Sequence, residues 1–232
     1  MDALAGYGAT VAGRGVIARS RESRQFVDDI LAELAARHYA PTAWVRFMSR
    51  SIARSADEVR NHPTAAAELT AIHLAAAAAG SRRWALTSWL LCVTHLGLLG
   101  DSPSLGWPNR LTVLRALLPL LAPNSPRVSL LALSTDFADG RLARPGGDSA
   151  FGAFADPIAD GVFWSWYALR WERNRLLRWV PMGLFGGSAA VIAIAYFARG
   201  RSIDYPRLMA VRYLSAVLQI TLAVRTLRWV VR

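Results

Sequence analysis

The chain contains no lysine. All 27 of its basic residues are arginine, and with 16 acids they set a formal net charge of +11. Cysteine is nearly absent as well: Cys92 stands alone, which excludes an intramolecular disulfide framework and a cysteine-based metal site. The four histidines, His38, His62, His73 and His95, fall at no metal-ligand spacing, and His95, within an apolar run, reads as a hydrogen-bonded interior residue. Positions 1–20 lack the apolar stretch of a signal peptide, so membrane insertion would depend on internal segments. Charged residues supply only 19% of the chain and hydrophobic ones 53%, which argues against a simple soluble globule.

What the chain does have is a succession of apolar runs. After a polar, Arg-rich stretch of eighty or so positions come runs at 84–99, 107–122, 126–137, 149–171, 179–198 and 206–231, separated by short Arg-bearing loops. That pattern predicts an all-α, polytopic integral-membrane bundle of about six membrane helices. The first run is short for a crossing and reads as re-entrant, interfacial or peripheral. The arginines lie beside apolar segments and on amphipathic stretches, so membrane lipids and phosphate-bearing substrates, not nucleic acid, are the expected partners.

The N-terminal part has its own periodicity. Phe26, Val27, Ile30, Leu31 and Leu34 recur at helical spacing opposite Asp28, Asp29 and Glu33. A second amphipathic helix sets Trp44, Val45, Phe47, Met48 and Ile52 against Arg46, Arg50 and Arg54, and Pro63 starts an Ala-rich third helix to about residue 79. Two arrangements are open: a basic amphipathic helix in the headgroup plane, or a helical appendage packed on itself. The chain accordingly divides into an N-terminal membrane-surface extension, 1–83, and a membrane-embedded domain, 84–232.

Within the apolar runs the acids collect in two places. Asp136 and Asp139 close the third run, three residues apart and so on one helical face; Gly152, Asp156 and Asp160, each four apart, form a stripe on the next. An ionised carboxylate at membrane depth costs about 2.5–3.5 kcal/mol, so these acids require compensation. If their two helices pack as neighbours across the short loop 145–148, all four carboxylates converge. Such a site suits hard cations, Mg²⁺ or Mn²⁺, and two such ions clamp a diphosphate undergoing displacement. Gly140 and Gly152 would let backbone approach a nucleotide or a helix closely, and Arg144 offers a fork of donors to phosphate.

The pattern D-x2-D-G-x2-A-R, a spacer, then G-x3-D-x3-D resembles the signature of the CDP-alcohol phosphatidyltransferases. All eight positions are present: Asp136, Asp139, Gly140, Ala143, Arg144, Gly152, Asp156 and Asp160. The stretch from Pro108 and Asn109 through Thr112 to Arg115 also looks like the start of the first family helix, so the resemblance covers about 107–231. It implies six membrane helices around a polar cavity open to the cytosol, in a multi-pass protein of the cell membrane. It implies that Asp136, Asp139 and Asp156 bind a pair of divalent ions, with Asp160 near the metals as the general base. Asp139, Gly140, Ala143, Arg144 and Gly152 would contact the nucleotide of a CDP-lipid donor. The acceptor would be a small alcohol, with a polyol phosphate favoured by the arginines, and its phosphate would fall to Arg201, Arg207, Arg212 or Arg115. A homodimer is a further partner that the reading allows.

The spacer of seven residues, Gly161 after the last aspartate and the lack of an Ala-Arg-Glu stretch in the fifth run depart from the family pattern. Family orientation also places the Arg-rich loop 170–178 outside, against the positive-inside tendency. Two alternatives stand beside the main reading: an aspartate-rich membrane prenyltransferase and a non-catalytic membrane scaffold. The turn at 145–147 lacks the Gly-Lys-Ser/Thr of a phosphate loop. Tryptophans such as Trp164, Trp166, Trp171 and Trp179 read as interfacial anchors, and Gly183, Gly186 and Gly187 as close helix-packing positions.

Overall fold

The computed structural model describes residues 22–142, 149–201 and 209–230, with the side chains of 137–142, 209–212 and 229–230 outside that description. Every regular element among the described residues is helical, as the periodicity predicts. Helix α1 covers 22–36. It is followed by α2 (Pro41–Asn61), α3 (Pro63–Ala79), α4 (Arg82–Val93), a 3₁₀ turn (Leu96–Leu99), α5 (Gly106–Leu121), α6 (Val128–Leu142), α7 (Ala150–Trp171), α8 (Val180–Arg199) and α9 (Met209–Val230).

Local chemistry explains most of the boundaries. Pro41 and Pro63 open α2 and α3, where the missing N–H costs nothing. Ser81 caps α4 and Ser149 caps α7, the latter accepting from the Gly152 N–H at 2.9 Å. Gly200 ends α8 in the left-handed region at φ 60°. The run at 84–99 breaks in the middle because Thr94 Oγ1 and the His95 ring bond the Leu90 and Leu91 carbonyls, competing with the helix ladder. A twelve-residue α4 is about 18 Å long, too short to span a bilayer.

One described helix, α8, is long and apolar enough to cross a membrane, and almost none of it is buried in the protein. The helices at 107–122 and 126–137 are present but short, 16 and 15 residues as α5 and α6. Two smaller expectations change. Gly183, Gly186 and Gly187 meet no neighbour among the described residues, because they lie on the outer surface of α8. The close approach of α8 to α7 occurs instead at Gly161, where a Cβ would collide with the Phe185 ring. Trp164 is no interfacial anchor, being buried mid-helix beside Phe163 and Tyr167.

Packing centres on α5, which lies against both α6 and α7, while α6 and α7 share no comparable contact with each other. The expected direct pairing of the two carboxylate helices is therefore replaced by a wedge. One core joins Ala65, Leu69 and Ala76 of α3 to Val113 and Leu117 of α5 and Phe151 of α7. A second joins Leu118, Val128, Phe163, Tyr167 and Leu222 of α5, α6, α7 and α9.

Polar ties fix α3 to α5 as well. Glu68 accepts from Arg110 Nη2 at 2.7 Å and Nε at 3.2 Å, and from the Leu105 N–H at 3.1 Å. The Arg110 hydrogen bonds outweigh burial and hold Glu68 below the usual carboxylate range. A depressed native pKa stabilises the fold above the unfolded-state pKa, and this stabilisation is lost as pH falls through the native one. Glu68→Gln should therefore lower unfolding stability by about 1–2 kcal/mol at neutral pH. In thermal melts of detergent-solubilised protein, the gap between wild type and variant should close in acid, where the wild-type carboxylate is protonated too.

Candidate active site

The acids of the third and fourth runs meet around one side chain of α5. Arg115 is wholly buried, and its Nη1 donates to Asp160 Oδ1 at 2.7 Å and lies 3.4 Å from Asp136 Oδ1. Its Nε reaches Thr135 Oγ1 at 3.5 Å. One turn earlier on the same face, Thr112 Oγ1 donates to Asp156 Oδ1 at 2.5 Å. Thr112 and Arg115 are three residues apart and Asp156 and Asp160 four, so two rungs connect α5 to α7 in register. On a third rung, Ser149 Oγ donates to Asn109 Oδ1 at 2.9 Å while Asn109 Nδ2 donates to the Leu105 carbonyl at 2.6 Å.

Gly152 is where α7 comes closest to this ladder. A Cβ there would lie 3.0 Å from Asn109 Oδ1 and 3.2 Å from Ser149 Oγ, so a larger residue would push the helices apart at the level of Asp156. From the far side, Gln219 Nε2 of α9 is 3.5 Å from Asp160 Oδ2 and 3.2 Å from Ser215 Oγ. Asp136 is about half exposed and Asp160 about a quarter, so the cluster runs from an open rim to a buried floor.

The structure thus brings Asp136, Asp156 and Asp160 to one place around α5. Asp139, Gly140, Ala143 and Arg144 lie outside the described side chains, as do Arg207 and Arg212. Arg201 is exposed just beyond the end of α8, and Arg115 faces the carboxylates. Ser149, Thr135 and Gln219 were not anticipated. Gln219 had a visible signal, an amide within the apolar run 206–231; the other two are small hydroxyls with none.

Among the described residues, no group of three or more His, Cys, Asp or Glu is gathered closely enough to hold a metal ion. Arg115 already supplies positive charge between two of the acids. The donor chemistry still suits a hard divalent cation: carboxylate oxygens from two helices, one of them opening to the rim.

A family model, CDP-alcohol phosphatidyltransferase, matches residues 105–231. The chain belongs to the CDP-alcohol phosphatidyltransferase family. This family transfers substituted phosphate groups, using a CDP-alcohol donor and an alcohol acceptor, and its members are membrane-associated. Among curated proteins and among solved structures, nothing matches the chain. The matched region begins within a residue of α5, the helix that organises the acids, and leaves α1–α4 outside.

Removing one partner from a buried charge cluster leaves the others uncompensated, at about 3–5 kcal/mol. Arg115→Met should lower the unfolding free energy of detergent-solubilised protein by about that much. Adding Asp160→Asn to Arg115→Met should restore part of the loss, since one stranded carboxylate is then neutral; a strictly additive double variant would show that the pair is not coupled.

Proposed function

We propose that this chain is a polytopic membrane enzyme that transfers a phosphatidyl group from CDP-diacylglycerol, or a similar CDP-lipid, to a small alcohol with release of CMP. The observation that carries this reading is the meeting of Asp136, Asp156 and Asp160 around the Thr112 and Arg115 rungs of α5. Carboxylates from two helices gathered at one buried arginine favour a charge-handling site over a scatter of acids.

Asp136, Asp139 and Asp156, with Asp160 beside them, would hold two Mg²⁺ or Mn²⁺ ions, which when bound supply positive charge to the donor diphosphate. Asp160 takes the proton of the acceptor hydroxyl. The freed oxygen forms a bond to the β-phosphorus of the donor, the bond from that phosphorus to the bridging oxygen breaks, and CMP departs with the electron pair. Arg115 fixes one oxygen of Asp160 and leaves the other facing Gln219. Thr112 fixes Asp156 in the same way. Asp139, Gly140, Ala143, Arg144 and Gly152 would line the nucleotide, in water at the cytosolic face of the cell membrane.

The six-crossing arrangement, with residues 84–232 embedded and 1–83 as an extension, is supported by the apolar runs and by α8. A homodimer belongs to the same proposal. The acceptor is proposed to be a polyol phosphate, its phosphate bound by one of Arg201, Arg207 and Arg212.

Purified protein with Mn²⁺, labelled CDP-diacylglycerol and a panel of alcohols tests the reading. Release of labelled CMP on addition of an acceptor is expected, and neither a prenyltransferase nor a scaffold would produce it. Asp136→Asn, Asp139→Asn and Asp156→Asn should each abolish turnover and weaken Mn²⁺ binding; full activity in Asp156→Asn would overturn the site. Asp160→Asn should keep donor binding while losing a factor on the order of 10²–10⁴ in rate.

For the acceptor, an Arg→Ala change at the true phosphate contact should raise acceptor KM strongly and leave donor KM nearly unchanged, because charge-assisted forked bonds are lost. Unchanged KM in all three of Arg201→Ala, Arg207→Ala and Arg212→Ala would place the acceptor phosphate elsewhere.

A further inference from the structure

Helix α2 carries an apolar stripe that the described residues leave largely open. Val45, Met48 and Ile52 are 69%, 53% and 63% exposed and Trp44 is 38% exposed. At positions i, i+1, i+4 and i+8, these four share one narrow face. The opposite face is already occupied: Ala43 and Glu58 are buried, Arg54 pairs with Glu58 at 2.6 Å, and Arg50 pairs with Glu33 of α1 at 2.7 Å. Arg50 and Arg54 also lie over the Phe26 ring of α1. Arg50 and Arg54 thus reach toward α1, away from the hydrophobic stripe, while Arg46, Asp57 and Arg60 stay exposed on the other faces of the helix.

The position of the stripe shows what covers it. The corner between α1 and α2 is fastened to the C-terminal end of α8. Tyr39 Oη donates to the Phe197 carbonyl at 2.6 Å, and the Trp44 ring centre is 5.7 Å from that of Phe197. Gly200, which ends α8, lies beside Ala35 of α1. The outer surface of α8 is itself apolar and open, with Val191 and Ile194 55% and 67% exposed. The α2 stripe therefore adjoins the surface of the one described helix able to cross a bilayer, at the end where that helix leaves it. Trp and Tyr at such a junction suit the headgroup level.

We infer that α2 lies in the membrane–water interface with Trp44, Val45, Met48 and Ile52 in the acyl boundary, clasped to the leaflet end of α8, so that the N-terminal hairpin is a second, in-plane anchor of the enzyme. This rests on the proposed placement of α8 in lipid. The partner is the bilayer itself.

The test uses the full chain with Cys92→Ser, carrying a single environment-sensitive fluorophore at Met48→Cys, at Asp57→Cys on another face of α2, or at Ile194→Cys on α8. Each labelled protein is reconstituted in phosphatidylcholine–phosphatidylglycerol vesicles and quenched by lipid-borne nitroxide or by aqueous iodide. The expected result is a blue-shifted probe at Met48 that loses most of its emission to the nitroxide and little to iodide, like Ile194 and opposite to Asp57. Iodide quenching at Met48 equal to that at Asp57, with Ile194 still in lipid, would overturn the inference. Disulfide cross-linking between two M48C chains without lipid quenching would overturn it in favour of a second copy. Iodide access at both Met48 and Ile194 would overturn the membrane placement of α8, and this inference with it.

Discussion

Arg115 is the largest side chain fully enclosed among the described residues. A guanidinium cannot shed its proton, so enclosing it demands counter-charge at hydrogen-bond distance. That demand constrains much of the surrounding structure. Asp160 must face α5 from α7 and Asp136 must face it from α6, which sets the rotation of both helices about their axes. Once α7 is so rotated, Asp156 falls one turn away opposite Thr112, and Gly152 a turn beyond that opposite Asn109. The glycine then sets how closely α7 can approach α5, because any Cβ would press on the Asn109–Ser149 bridge. The acids are thus held in place by the helix between them. A cluster that would otherwise repel itself has a built-in positive centre, and its half-exposed member, Asp136, keeps one side of that centre open to solvent.

The segment outside the family match is joined to this framework by polar contacts as well as by the apolar core of α3, α5 and α7. His62 bridges the Glu58 and Gly100 carbonyls at 3.1 and 2.8 Å, and Glu68 holds both the Leu105 N–H and Arg110. His73 links α3 to Ser88 of α4, and the indole of Trp84 donates to the Ala116 carbonyl of α5. Of these ties, those of Glu68 reach the first turn of α5 and that of Trp84 its middle. The N-terminal helices therefore brace the element that carries Asn109, Thr112 and Arg115.

Helix α7 was legible almost to the residue from sequence, since Ser149 caps it and a long apolar run follows. The candidate acids were legible for a related reason: Asp136, Asp156 and Asp160 interrupt apolar runs, where an ion has to be explained. The order of the helices in space was not. Nothing local in residues 128–171 reveals that α5 lies between α6 and α7, because that depends on where a residue 45 positions away, Arg115, finds its partner. The break of the 84–99 run was also hidden, since Thr94 and His95 bond backbone carbonyls that a hydropathy pattern cannot register. Gly183, Gly186 and Gly187 misled in the other direction, small residues suggesting a partner helix where the described residues offer none.

The two halves of α7 have opposite requirements. Its first turns present Gly152, Asp156 and Asp160 to polar neighbours, whereas its last turns bury Phe163, Trp164 and Tyr167 in an aromatic core with α6 and α9. The Tyr167 hydroxyl ties that core to the start of α6 through the Pro126 carbonyl at 2.9 Å, and beyond it Glu172 is clamped by Arg225. Firm packing at one end lets the other end stay open without the helix swinging. For the proposed transfer from a donor that combines a charged nucleotide diphosphate with acyl chains, this division fits the substrate. The diphosphate has to remain in water while its acyl chains remain in hydrocarbon, so the reacting phosphorus must lie near a membrane face. A site at the polar end of a helix whose other end is locked in an aromatic core meets that geometric condition.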